Sequence, residues 1–107
     1  MQMKDILESC EGFNWDDADY NKKWLKHKVS KIECEQVFFN NPLIIADDTK
    51  HSESERRWLL LGRTDMDRRL FVVFTLRGNL IRFISARSMN KKERELYDEE
   101  IKKDTKV

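Results

Sequence analysis

Three arginines recur at five-residue intervals late in the chain: Arg77, Arg82 and Arg87, set among Phe, Ile, Val and Leu. A guanidinium is planar, always charged and able to grip two phosphate oxygens at once. Several on one scaffold suit a substrate that gains negative charge as it reacts. A buried arginine without a partner is costly, so each must face a cleft or a carboxylate. The ordinary alternative for each is a stem lying on apolar surface with its head in water, paired to Asp or Glu. Arginine cannot act as a base, so any proton transfer must come from other residues.

The elements that carry these arginines are legible. "LFVVFTLR" (70–77) and "LIRFISARS" (80–88) are strands joined by Gly78-Asn79, a tight-hairpin signal. They are apolar on both faces, as central strands are. Alternation predicts that Arg82 shares a face with Ile84, and Arg87 with Phe83 and Ser85. Arg77 lies beside the turn and Arg87 at the far end, so the two meet only with help from a bulge or strand curvature. "LIIAD" (43–47) and "RRWLLLGRT" (56–64) are two further strands, "DDTKHSESE" (47–55) a polar loop, and "DMDRR" (65–69) a turn.

"WDDADYNKKWLKHK" (15–28) reads as a helix capped by Asp16 or Asp17, with Tyr20, Trp24 and His27 along one face. "VSKIECEQVFFNNP" (29–42) restarts at Ser30, with Glu33 completing a capping box; Cys34, Val37 and Phe38 point inward and Pro42 ends it. Asn90 and Glu93 cap a last helix, "KKERELYDEEIKKD" (91–104), with Leu96, Tyr97 and Ile101 facing in. The predicted fold is α+β: an antiparallel four-stranded sheet with two N-terminal helices and one C-terminal helix, residues 1–107 forming a single domain.

Charged residues are 38% of the chain, yet the formal net charge is only +1. Its distribution is uneven. Residues 1–20 set Lys4 against Asp5, Glu8, Glu11, Asp16, Asp17 and Asp19, a net of −5. Residues 77–94 set Arg77, Arg82, Arg87, Lys91, Lys92 and Arg94 against Glu93, a net of +5. The basic patch can meet a phosphate chain or an acidic protein. Cys10 and Cys34 are too few for a disulfide framework, and their spacing with His27 and His51 matches no zinc signature. Reduced thiols, a cytoplasmic location and no cofactor are expected. The sequence shows no signal peptide and no apolar run long enough to span a bilayer.

From Phe13 to Tyr97 the chain resembles the BrnT family of toxin–antitoxin ribonucleases, which has a RelE-like fold. The matching pieces are "FNWDDADYN" (13–21), "KHKVS" (26–30), "VFFNNP" (37–42), "ESERRWLLLG" (53–62), "VVFTLRG" (72–78), "IRFISAR" (81–87) and "KKERELY" (91–97). Each is weak alone; their order and spacing are specific. Two departures stand out. The family usually has Gly after Lys-His, where this chain has Lys28, and usually has Gly in the turn where "DMDRR" has none. The resemblance implies a small ribosome-independent endoribonuclease that inhibits translation. It also implies a BrnA-like antitoxin with a ribbon-helix-helix DNA-binding domain. The polar positions that match are Lys26, His27, Glu55, Arg57, Arg77, Arg82, Arg87 and Tyr97.

Metal-free RNA cleavage uses the substrate's own 2′-OH as nucleophile. It needs a base, positive charge for the phosphorane-like transition state and an acid for the leaving oxygen. His27 and Glu55 are the candidate proton carriers, Arg77 and Arg87 the candidate charge donors, and Lys26, Arg57, Arg82 and Tyr97 the candidate RNA contacts. Each also has a structural reading. His27 can complement a helix C-terminus. Glu55 and Arg57, two apart on a strand, can pair with each other or with neighbours. Tyr97 can pack in a core. The competing function is a non-catalytic module whose basic face docks an acidic partner or nucleic acid.

Overall fold

The structure is a computed structural model that describes residues 10–14, 28–48 and 56–105. The helix expected over 15–28 lies outside them. The described elements run β1 (Gly12–Asn14), α1 (Lys31–Gln36), β2 (Ile44–Asp47), β3 (Arg57–Arg63), β4 (Arg69–Arg77), β5 (Leu80–Ser88) and α2 (Lys91–Thr105). No helix among the described residues is long and apolar enough to cross a membrane.

The five strands form one sheet in the order β1-β5-β4-β3-β2. The four expected strands are present and pair antiparallel, with β3, β4 and β5 interior as their apolar content requires. The sheet is nevertheless mixed, because β1 adds to β5 in parallel, with Phe13 opposite Ile81 and Asn14 opposite Arg82. Alternation cannot announce a three-residue strand that contains a glycine. Here Phe13 stacks on Phe83 with centroids 5.5 Å apart, and the Glu11 N–H donates to the Asn79 carbonyl of the hairpin turn at 2.7 Å. The described residues therefore hold a mixed five-stranded sheet and two helices rather than four antiparallel strands and three.

One face of the sheet packs on α1 and its flanks. Trp58, Leu60, Leu70, Val72, Phe74, Ile81, Phe83 and Ala86 meet Val29, Cys34 and Val37 there. Burial pushes the Cys34 thiol up to about 12, so it stays protonated and acts as a small apolar filler. Helix α1 begins at a full capping box between Ser30 and Glu33, and turns take over after Gln36. It lies so close to β3 that a Cβ on Gly62 would come within 3.0 Å of Val37 Cβ. In the hairpin, Gly78 takes φ 59, which a two-residue turn with glycine first requires.

Among the described residues the opposite face is covered only in part. Helix α2 packs Tyr97 and Ile101 onto Leu61, Ile44, Phe71 and Met89. Leu96, expected to face inward with them, is instead 54% exposed. The next residue, Tyr97, is fully buried, while Leu96 lies at the edge of the same stripe, beside Ile44, Leu61 and Phe71.

Both departures from the expected glycine pattern lie at left-handed backbone: Lys28 has φ 54 and Asp67 φ 65. Asp67 tolerates this conformation better than most residues. It also lies 3.6 Å from Arg63 and 3.4 Å from Arg69. Lys28 is held by Arg68, whose Nη1 donates to the Lys28 carbonyl at 2.7 Å and to Glu33 at 3.1 Å. A side chain with a Cβ loses about 1–2 kcal/mol in this region. Glycine offsets about 0.4–1 kcal/mol of that through its larger unfolded-state entropy. Lys28→Gly should therefore stabilise the protein by about 1 kcal/mol, raising Tm by about 4 °C in thermal unfolding. A lower Tm would show that the lysine side chain supports the fold.

Candidate RNA-binding face

The half-open face is where the arginines gather, and strand register explains how. Arg77 pairs with Leu80 across the turn, and Thr75 with Arg82, so Arg77 and Arg82 share this face. Arg57 of β3 lies opposite Thr75. Arg57, Thr75, Arg82 and Asn14 thus form one row across four strands. Thr75 is buried in that row, and its hydroxyl donates to the Arg56 carbonyl at 2.6 Å.

Strict alternation would turn Arg87 to the other face, with Phe83. The structure corrects this expectation. Phe74 pairs with Phe83 but Val73 with Ser85, so β5 carries one extra residue at Ile84. This β-bulge shifts the alternation by one. Arg87 then pairs with Phe71, on the face of Arg82 and Ser85. Thr75 and Phe71 are four residues apart on β4, which separates Arg82 from Arg87 by about 13 Å along the strands.

Between the two ends lies a shallow depression of about 330 Å³ lined by Asp48, Arg57, Leu59, Phe71, Val73, Ile84 and Ser85. Its floor is apolar, its charged lining residues are Arg57 and Asp48, and the register sets Arg82 and Arg87 on the same face. Such a surface can accept the flat face of a base while guanidinium groups hold the flanking phosphates.

Arg87 is held firmly. Its Nη1 and Nη2 donate to the two Glu93 oxygens at 2.8 and 2.9 Å, Nη1 also donates to the Ser88 carbonyl, and its Cζ lies 4.1 Å from the Phe71 ring centroid. Glu93 in turn accepts from the Asn90 N–H at 2.8 Å, while Asn90 Oδ1 accepts from the Glu93 N–H. One carboxylate therefore caps α2 and aims Arg87. Glu93 takes the end of the guanidinium fork; the lateral edge formed by Nε and Nη2 points elsewhere and has the geometry to grip a phosphate. The sequence marked Glu93 only as a capping residue. A capping box set just beyond a strand-terminal arginine is the signal that could have revealed its second role.

Tyr97 is placed differently from a residue that stacks on a base. It is fully buried, its hydroxyl donates to the Pro42 carbonyl at 2.7 Å, and Arg69 lies over its ring at 5.4 Å. Arg69 also pairs with Asp98 of the same helix. Lys26, His27 and Glu55 lie outside the described residues. The structure thus brings Arg57, Arg77, Arg82 and Arg87 to one face and puts Tyr97 beneath α2.

Two outcomes follow. Tyr97→Phe should cost about 1–3 kcal/mol by leaving the Pro42 carbonyl without its donor, measured by denaturant unfolding. RNA affinity should be unchanged; weakened affinity with intact folding would restore a contact role. The second concerns pH. The Arg87 hydrogen bonds hold the Glu93 carboxyl below the ordinary glutamate value of 4.5. Burial pushes Glu33 up, but the Ser30 N–H and Arg68 outweigh it, and Glu33 also titrates below that value. A depressed folded-state pKa means that the unfolded chain binds more protons. The stabilisation is complete above about pH 4.5 and is lost as pH falls further. Thermal unfolding followed from pH 6 to pH 3 should show this loss, and Glu93→Gln should reduce its slope. An unchanged slope would show that the Arg87–Glu93 pair adds nothing.

Among curated proteins, none matches this chain. A family model does: that of the BrnT ribonuclease toxins of type II toxin–antitoxin systems, over residues 15–93. The match spans α1, every strand from β2 to β5 and the Arg87–Glu93 junction. With arginines on a half-open sheet face and a match over most of its length, the chain belongs to the BrnT family of ribonuclease toxins.

Proposed function

We propose that this toxin is a metal-independent, ribosome-independent endoribonuclease acting in the cytoplasm as a single domain. Its substrate binds across the half-open sheet face, and RNA loss inhibits translation. The observation that carries this reading is the register that puts Arg57, Arg77, Arg82 and Arg87 on one side of the sheet around an apolar floor. Type II toxins have antitoxin partners, and a BrnA-like ribbon-helix-helix protein is the proposed one here.

In the proposed reaction the 2′-OH of one nucleotide attacks the adjacent phosphorus. The 2′-oxygen–phosphorus bond forms, the bond from phosphorus to the 5′-oxygen breaks, and a 2′,3′-cyclic phosphate and a 5′-OH result. A base takes the 2′-OH proton and an acid gives one to the leaving oxygen; His27 and Glu55 are the candidates. The arginines cannot move protons at neutral pH, so their work is electrostatic. Arg87 is assigned the charge that develops on the phosphorane; Arg77, six residues from Phe71 along β4 and so about 20 Å from Arg87 along the strands, takes a flanking phosphate with Arg57 and Arg82. Glu93 contributes by fixing the direction of Arg87, so that no reorganisation is needed during reaction. Lys26, next to His27 in sequence, is kept as an RNA contact. Tyr97 packs between α2 and the end of the face and is given no contact with RNA.

Cleavage of bare RNA by the purified protein in EDTA tests the proposal, with the cyclic phosphate end as its signature. Arg77→Lys and Arg87→Lys keep the charge but lose the two-point grip. Arg87→Lys should slow cleavage by about a hundred- to a thousandfold, equivalent to about 2.7–4 kcal/mol of transition-state stabilisation, whereas Arg77→Lys, at a flanking contact, should act on KM. Arg82→Lys should act mainly on KM. Tm is followed in parallel, because Arg87 also holds α2. Intact RNA under these conditions, with antitoxin binding preserved, would leave a non-catalytic docking module.

A further inference from the structure

We infer that an apolar groove beside the RNA face is the docking site for the antitoxin, and that its occupant is an antitoxin segment carrying apolar side chains followed by carboxylates. The inference rests on the proposed RNA face, which that segment would cover. The groove, about 170 Å³, is lined by Ile44, Ala46, Leu59, Leu61, Phe71, Glu93 and Leu96. Its apolar walls come from β2, β3, β4 and α2. Leu96, more than half exposed, forms its outer lip, and Ala46 of β2 is exposed as well. An exposed apolar lip of this kind is a binding feature rather than a packing one.

Continuity and charge identify the occupant. The groove shares Leu59 and Phe71 with the depression that holds Arg57, so one extended ligand can run from one into the other. The apolar part of such a ligand would lie against Leu96 and Ala46. Its far part would pass Arg57 and Asp48 and reach Arg82 in the row beyond, where the arginines outnumber the carboxylate and an acidic segment is complementary. Lys92 is exposed one turn before Leu96 on α2 and adds a positive charge near the lip. RNA has the wrong chemistry for the groove itself, which offers a phosphate no donor along its apolar walls. A protein segment that fills the groove would displace RNA from the arginines, which gives neutralisation without distortion of the fold.

The test compares the full-length toxin and variants in two assays, binding to the purified cognate antitoxin and cleavage of bare RNA. Leu96→Asp and Ala46→Glu put a charge into the groove from different elements, so a folding failure in one leaves the other informative. Each should weaken antitoxin binding by about tenfold or more, as loss of an apolar anchor does at a hot spot. RNA cleavage should be unchanged, so both variants should remain active at antitoxin concentrations that silence the parent protein. Ile32→Asp places the same charge on a residue of α1 that is 66% exposed, on the other side of the sheet, and should bind normally. Wild-type antitoxin affinity in both folded groove variants would overturn the inference. So would an equal loss of RNA affinity, which would assign the groove to RNA. Failure of the parent protein to cleave RNA would strike the proposed reaction alone, since antitoxin binding is read separately.

Discussion

A single extra residue in β5 decides what this sheet can do. Without the bulge at Ile84, Arg87 would point with Phe83 into the core beneath α1, where its charge would be costly. With it, Phe83 and Ala86 both face that core, three residues apart instead of two, and Arg87 emerges beside Phe71. The five-residue spacing of the arginines then resolves in two different ways. From Arg77 to Arg82 the chain turns a hairpin; from Arg82 to Arg87 it passes a bulge. Both bring an odd spacing back to the same face.

The far end of that face depends on a chain of contacts that starts from Arg87. Glu93 grips its guanidinium end-on and caps α2 with the same carboxylate. The cap sets where α2 leaves the sheet, which lets Tyr97 reach the Pro42 carbonyl and fills the space between Leu61, Ile44 and Met89. Among the described residues, the helix covers one end of the face and leaves the rest open. On the other side of the sheet, Arg68 binds the Lys28 carbonyl, Glu33 and the Ser88 hydroxyl, joining the start of α1 to the end of β5. Two arginine–glutamate pairs therefore anchor the two helices to the same strand end. Both are only partly buried and each alone is a modest contribution. Their value lies in direction, since each also closes a helix cap.

Much of the architecture was legible in the sequence because hydrophobic alternation and capping chemistry are local. β5 is where the pattern put it, 80–88, and the capping boxes at Ser30–Glu33 and Asn90–Glu93 are both present. The bulge was not legible in the same way. Its trace is the run Phe83-Ile84-Ser85-Ala86, where the inward positions slip from every second residue to a gap of three, and a pattern read two residues at a time passes over it. β1 was missed because its existence depends on a partner far along the chain. Leu96 was misread because periodicity gives the side of the helix but not how far the sheet extends beneath it: Leu96 is on the side of Ile44 and Leu61 yet more than half exposed at its edge. Arg57 joined the candidate site through family resemblance, and its register opposite Thr75 now gives that assignment a physical basis.

RNA contacting the arginine face as one surface is the central claim. The most direct measurement is NMR titration of arginine side-chain Nε–H signals with an RNA whose 2′-OH groups are replaced by hydrogen, so that it binds without being cut. The account predicts that the signals of Arg57, Arg77, Arg82 and Arg87 shift together along one saturation curve while that of Arg68 stays in place. Shifts at Arg68 with the four face arginines unmoved would contradict it and place the RNA on the opposite side of the sheet.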